Sequence, residues 1–337
     1  MERHGAQQVN MDQPSSKYGL LITHTDNIGD EIQSLAVRRL LPKLDRYIDR
    51  DKINYVFAPS SERILSILNG WWCHNPENWP PSPAIVPLLL SFHLSPFRSP
   101  SLGLIPTEVF LSEPAIKYLK HYGPVGARDL GTLEVLQKAG IESYFSGCIT
   151  LTLERPDVQK ENDLIVLNDV PESVAKLVSD RTHKRIVQTT HAGYGNKSLD
   201  ERFAQAYRLL EIYAKASCVV TTRLHCALPC AAMNTSVLLL DTATDRDRFA
   251  GLTEFVHHLT IEQFTSDFSR YSIEDPPLNL RKHLSHRAAL IDSAKRFCSG
   301  HQEAKPYPFG PVESLQITYA INDKIKSYVN LLRGGRK

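Results

Sequence analysis

The chain has 337 residues, 42% of them hydrophobic and 23% charged, with a formal net charge of +2. That length allows one or two domains with a sizeable core. The balanced charge argues against a nucleic-acid binder driven by bulk electrostatics and leaves room for a local basic pocket. No apolar run reaches the length of a membrane span, and the most hydrophobic stretch, PAIVPLLLSFHL, is interrupted by Pro87, so no integral membrane segment is expected.

In chain order, MERHGAQQVNMDQPSSK is polar and lacks the apolar stretch of a secretory signal, and residues 1–16 read as a disordered tail. YGLLITHT, residues 18–25, reads as a buried strand, and DNIGD as a turn. EIQSLAVRRLLPKL places Ile32, Leu35, Ala36 and Leu40 on one helical face, with Asp30 and Gln33 resembling a capping box. KINYVFAP and AIVPLLLSFHL read as strands, the second ending near His93. GPVGARD reads as a short strand ending at Arg128; Asp129 caps the helix LGTLEVLQKA, and Gly140 stops it. ESYFSGCITLTL resumes strand character. Strand and helix alternating over residues 18–153 predict a parallel sheet covered by helices.

The polar stretch ERPDVQKEND, residues 154–163, has no apolar period, and the alternation then restarts. DLIVLNDV is a strand, PESVAKLVSD a helix, KRIVQTTH a strand, and SLDERFAQAYRLLEIYAKA a long amphipathic helix. CVVTTRLHCALPCAAMNTSVLLLD follows as strand, tight corner, short helix and strand. The predicted fold class is α/β, with two Rossmann-like domains whose parallel sheets face a cleft. The first spans residues 17–155 and the second 160–310, with a helix at 311–337 packing back on the first. The six cysteines, Cys73, Cys148, Cys218, Cys226, Cys230 and Cys298, contain no CxxC pair. They read as buried free thiols in a reducing compartment, and with no signal segment the expected location is cytoplasmic.

Ligands of open α/β sheets sit outside the C-terminal ends of the strands, which selects the corners after residues 25, 92, 127 and 222. At the first, Asn27, Gly29 and Asp30 precede a helix start; they form either a backbone approach to a ligand or plain turn chemistry. His93 reads as a structural imidazole or a site residue. Arg128 ends an apolar strand, where a buried guanidinium needs an anion, and Asp129 has the competing task of capping. The corner Thr221, Thr222, Arg223, Leu224, His225 joins a planar fork for carboxylate or phosphate to an imidazole suited to acid or base work. His191 ends a strand of the second half. WWCHNPENWPPSP, residues 71–83, carries all three tryptophans and reads as a sugar-stacking loop or a packed irregular one. Arginines from both halves suit a small dianionic substrate.

Three ordered segments, NIGDEIQSLAVRRLLP, GARDLGTLEVLQKAG followed by YFSGCITLTL, and YAKASCVVTTRLHCALPCAAMNTSVLLLD, resemble the polysaccharide pyruvyl transferases over roughly residues 18–255. The resemblance implies a GT-B-like fold and transfer of a pyruvyl group from phosphoenolpyruvate to two hydroxyls of a sugar, as a cyclic ketal. It implies that Arg223, Leu224 and His225 contact phosphoenolpyruvate, with Arg128 as the arginine of the first domain and His93 as a weaker match. Arg223 and His225 are then the catalytic candidates, and no cofactor or metal is called for. Asn27, Asp30 and His191 are candidates for an acceptor that is a sugar, an oligosaccharide or a lipid-linked glycan. Cys226 departs from the family, whose members often carry glycine there. The alternatives are a GT-B-like glycosyltransferase using a sugar nucleotide and a catalytically silent binding protein.

Overall fold

The computed structural model describes residues 15–72, 75–95, 105–241 and 246–300. The predicted tail (apart from Ser15 and Ser16) and the predicted helix at 311–337 lie outside these residues. The strands are β1 Ser15–Ile22, β2 Arg46–Asp49, β3 Glu62–Trp71, β4 Ile85–His93, β5 Val125–Ala127, β6 Ser143–Phe145, β7 Leu164–Asn168, β8 Arg185–Thr189, β9 Cys218–Thr221, β10 Val237–Asp241 and β11 His257–Thr260. The helices are α1 Gly29–Arg38, α2 Pro106–Phe110, α3 Glu113–Tyr122, α4 Leu130–Lys138, α5 Glu172–Ser179, α6 Leu199–Lys215, α7 Leu224–Ala232, α8 Arg246–Phe249, α9 Ile261–Ser266 and α10 Leu284–Cys298. A six-stranded sheet runs β2-β1-β3-β4-β5-β6 and a five-stranded sheet β11-β10-β9-β7-β8. Every pairing is parallel. These are the two parallel sheets expected of two Rossmann-like halves.

Local chemistry explains most elements. Asp129 caps α4 by accepting the Thr132 N–H at 2.9 Å, and Gly140 takes φ 66° just beyond the helix, a value glycine adopts without a Cβ penalty. Ser198 and Glu201 form a reciprocal capping box that starts α6. Its stripe of Phe203, Ala206, Leu210 and Tyr213 is buried.

Three expectations are corrected. KINYVFAP is not a strand: the neighbouring strand is β2, and Asp49 ends it by accepting the Asp51 N–H, starting a 3-10 turn over Arg50–Tyr55. The alternation of Ile53, Tyr55 and Phe57 mimics a strand, yet only Ile53 is buried. The central strand β3, missing from the expectations, buries both faces and so lacks a two-residue period. The Asp30–Gln33 capping box also fails, because α1 starts at Gly29 and Asp30 already lies in its first turn. Gln33 instead donates to the Asp30 carboxylate at 3.3 Å.

Trp72 and Trp79 are buried against each other and against Phe92, with Phe110 and Tyr118 also packed on Trp79. They belong to the core on one face of the first sheet, so the packed-loop reading holds for both.

The other face of that sheet shares one apolar core with the second sheet. Ile28, Ile32 and Val37 of the first half join Tyr213, Leu224, Ala227 and Leu228 of the second. Polar pins cross the same layer. The Ile28 N–H donates to the His191 carbonyl at 2.9 Å, and the Gly193 and Gly195 N–H groups donate to Asp26 at 2.9 and 3.1 Å. Arg202 grips Glu31 through two bonds of 2.8 Å and also donates to the Thr25 and Tyr194 carbonyls. Together these fix the C-terminal end of β1 against the corner of the second sheet.

Candidate functional site

In the second sheet, β9 ends at Thr221 and α7 begins at Leu224, with Arg223 at its N-cap. Thr221 donates to Asn168 and accepts the Arg223 N–H at 2.9 Å, while Thr222 donates to the Asp169 carbonyl at 2.7 Å. Both threonine hydroxyls thus hold the corner itself. The Arg223 Nε donates to Asp169 at 2.8 Å. Asp169 sits at φ 49°, a conformation aspartate tolerates when its neighbourhood fixes it. Its carboxylate also accepts Thr190 Oγ1 at 2.6 Å and the His191 N–H at 2.9 Å. Although burial pushes the other way, these bonds and the Arg223 charge hold the Asp169 carboxyl below its ordinary value. The fork of Arg223 is therefore aimed from behind, with its side chain 42% exposed.

In the first sheet, β4 ends at His93 and β5 leads into Arg128. Both side chains are 2% exposed. The Oδ2 atom of Asp129 accepts His93 Nδ1 at 2.6 Å and Arg128 Nε at 3.3 Å, while Oδ1 caps α4. One carboxylate thus does both tasks the sequence set in competition. Among the described residues, the buried Nη2 atom of Arg128 and Nε2 atom of His93 have no hydrogen-bond partner. Burial first, and then the Arg128 charge, push the His93 imidazole down to about 4, against the pull of Asp129. At neutral pH it is uncharged.

His225 stands between the halves. A Cβ on Gly29 would lie 2.9 Å from its Nδ1, so the first turn of α1 packs directly on the ring. Its Nε2 is buried and has no hydrogen-bond partner among the described residues. Burial pushes the imidazole well below its ordinary value, helped by Arg128, His191, Arg248 and His93 in that order. The structure therefore draws Arg128, His93 and His225 together, with the Arg128 charge acting on both rings. An alanine at Gly29 should displace His225 and lower turnover by about a hundredfold, the scale of a 1 Å misplacement of a reacting group. The unfolding midpoint should barely move, and parallel rate and thermal-melt measurements check both.

The other candidates serve the frame. His191 is buried, with its ring bonded to the Tyr213 hydroxyl at 2.9 Å and its carbonyl holding Ile28. Asn27 accepts the Gly29 N–H at 3.0 Å, and Asp30 accepts Thr25 at 2.8 Å. Leu224 and Cys226 are core residues. Cys226 lies beside Cys230 and Tyr213, so its side chain fills the interior.

Sequence reasoning missed Asp169 and Arg248. Both follow C-terminal strand ends, after β7 and β10, and the rule that selected four corners selects these two as well. Arg248, on α8, acts on both His93 and His225. Among the described residues, no helix is long and apolar enough to cross a membrane.

The sequence profile of the family described as Polysaccharide pyruvyl transferase matches residues 27–244, more than half of the 337 residues. No curated protein matches the chain. Solved structures that resemble it include the wall teichoic acid polymerase TagF, at 12% identity over 93% of this chain and 90% of that one, with a TM-score of 0.37. A variant of the same polymerase matches at 11% identity over 94% and 90%, also at 0.37. The chain belongs to the polysaccharide pyruvyl transferase family, and with it to the transferases of glycan biosynthesis.

Proposed function

We propose that this member of the polysaccharide pyruvyl transferase family moves the pyruvyl unit of phosphoenolpyruvate onto two hydroxyls of a sugar acceptor, forming a cyclic ketal and releasing phosphate. The observation that carries the reading is a pair of buried nitrogens from opposite halves, Arg128 Nη2 and His225 Nε2, that have no hydrogen-bond partner among the described residues, with the Arg128 charge acting on the His225 ring. A buried guanidinium with an open N–H calls for an anion, and phosphoenolpyruvate offers two.

In this reading Arg128 and Arg223 hold the carboxylate and phosphate, and their charge stabilises the departing phosphate. The first turn of α7 adds N–H groups and the positive end of a helix. His225 gives a proton to the methylene carbon, which makes the adjacent carbon open to attack by a sugar hydroxyl. In the free protein burial first, and then the Arg128 charge, keep His225 uncharged. A bound trianion offsets the Arg128 charge, favours the charged imidazolium and raises the imidazole toward the range of a working acid. Donor binding should therefore take up a proton and strengthen as pH falls. Calorimetry in two buffers of different ionisation enthalpy measures that uptake directly.

The test is phosphate release from phosphoenolpyruvate with a panel of galactose-, mannose- and glucose-type acceptors. Acceptor-dependent release supports the reading. Consumption of a sugar nucleotide alone, or binding without turnover of either donor, overturns it.

A further inference from the structure

His93 was expected to touch the donor, and its surroundings suit a different partner. Asp129 Oδ2 accepts from both His93 Nδ1 and Arg128 Nε, so the imidazole and the guanidinium stand side by side on one carboxylate. Because Nδ1 faces a carboxylate at 2.6 Å, it carries the ring proton, and the lone pair sits on Nε2. A lone pair repels the oxygens of a carboxylate or phosphate. The neighbouring Arg128 Nη2 is a donor, and among the described residues neither it nor His93 Nε2 has a hydrogen-bond partner. A group with one proton to give and lone pairs to receive satisfies both atoms, and a hydroxyl is that group. Arg128 Nη2 carries two N–H bonds, so it can hold a donor oxygen with one and the hydroxyl with the other.

Resting on the phosphoenolpyruvate reading, we infer that His93, backed by Asp129, is the general base that takes the proton of an acceptor hydroxyl, with Arg128 Nη2 holding that hydroxyl's oxygen. The O–H bond breaks, its proton passes to His93 Nε2, and its electron pair forms the new C–O bond to the pyruvyl C2. The displaced C=C pair takes the proton from His225 and becomes the methyl group. As the C–O bond to phosphate breaks, the departing phosphate removes the proton from His93. The second hydroxyl closes the ring and returns a proton to His225. Both rings end as they began. The buried Asp129 carboxylate holds the imidazole in the right tautomer and stabilises the transient imidazolium, the task a carboxylate performs behind a catalytic histidine in hydrolases. The charged and titratable groups around His93 are Asp129 and Arg128 at the β5–α4 corner, Arg248 on α8 and His225 on α7.

His93→Asn keeps an amide donor for Asp129 and deletes only the Nε2 position, while His93→Gln places an amide where Nε2 stood. Each should lower kcat about a hundred- to ten-thousandfold and leave the dissociation constant of phosphoenolpyruvate within a fewfold of wild type. Unimpaired kcat overturns the inference. So does a loss of donor affinity that matches the loss of kcat/KM, because His93 is then a donor contact. If neither variant folds, nitrogen NMR of histidine-labelled wild-type protein decides. An unprotonated Nε2 that shifts when acceptor sugar is added, and not when phosphoenolpyruvate alone is added, supports the base. The opposite response overturns it. Wild-type protein that releases no phosphate from phosphoenolpyruvate removes the underlying reading, whereas wild-type turnover with active His93 variants removes this inference alone.

Discussion

Replacing His225 by alanine is expected to slow phosphate release about a hundred- to ten-thousandfold while leaving the unfolding midpoint nearly unchanged. Among the described residues the ring makes no hydrogen bond through Nε2, so its removal orphans no partner there. Its Nδ1 edge packs against Gly29, which has no side chain to lose contact with. The next residue back provides the contrast. Leu224 is a core side chain of the shared apolar layer. Leu224→Ala should cost about 2–5 kcal/mol of stability and should lower activity only in proportion to the folded fraction. Phosphate-release rates and urea unfolding on the two variants separate a chemical role from a packing one. Loss of folded protein at position 225 without a selective loss of turnover would refute the assignment.

The second large effect concerns the pin between the halves. Glu31 and Arg202 are 2% and 1% exposed and joined by two bonds of 2.8 Å. Removing one member leaves the other buried and uncompensated, at a cost of about 3–5 kcal/mol. Arg202→Ala also strips the Thr25 and Tyr194 carbonyls of their donor, so it belongs at the upper end of that range. The double variant Glu31→Leu, Arg202→Leu removes both charges and should lose clearly less than the two single variants added together. The pH dependence has a definite sign. Burial pushes Glu31 up from 4.5 to about 7, with Arg202 resisting and Asp30 assisting. The folded chain thus keeps the proton where the unfolded chain has lost it. The contribution of Glu31 to stability is full below pH 4.5 and declines as pH rises toward about 7. Removing Arg202 should raise the carboxyl further and extend that decline. Urea unfolding across this pH range checks sign and size, and single-variant costs below 1 kcal/mol would contradict the account.

The second half was read well from sequence because its signals are local. β7, α5, β8, α6, β9, α7 and β10 each carry a cap, a stripe or a short apolar run. The first half misled where burial has two sides. β3 is apolar toward both layers and has no period, and the 3-10 turn at Arg50–Tyr55 imitates alternation with Tyr55 and Phe57, which face solvent. The site shows the same division. Arg128, Arg223 and His225 were legible as polar groups in apolar corners. The sharing of Asp129 by His93 and Arg128 joins positions 36 residues apart, and the Asp169–Arg223 bond joins positions 54 apart. Only the register of parallel strands brings them together, and no short motif records it. His191 and Asp30 look like ligand groups in sequence because they end or follow strands. Tyr213, Thr25 and Gln33, which bind them internally, lie on separate turns of the fold or on another element.

The most direct measurement follows phosphoenolpyruvate labelled with carbon-13 at C2 through turnover with a sugar acceptor, by NMR and by phosphate assay. The label should move to a quaternary ketal carbon bonded to two oxygens of one sugar, with one phosphate released for each ketal formed. Label that stays in phosphoenolpyruvate or collects in free pyruvate, while a sugar nucleotide is consumed in its place, would contradict the account.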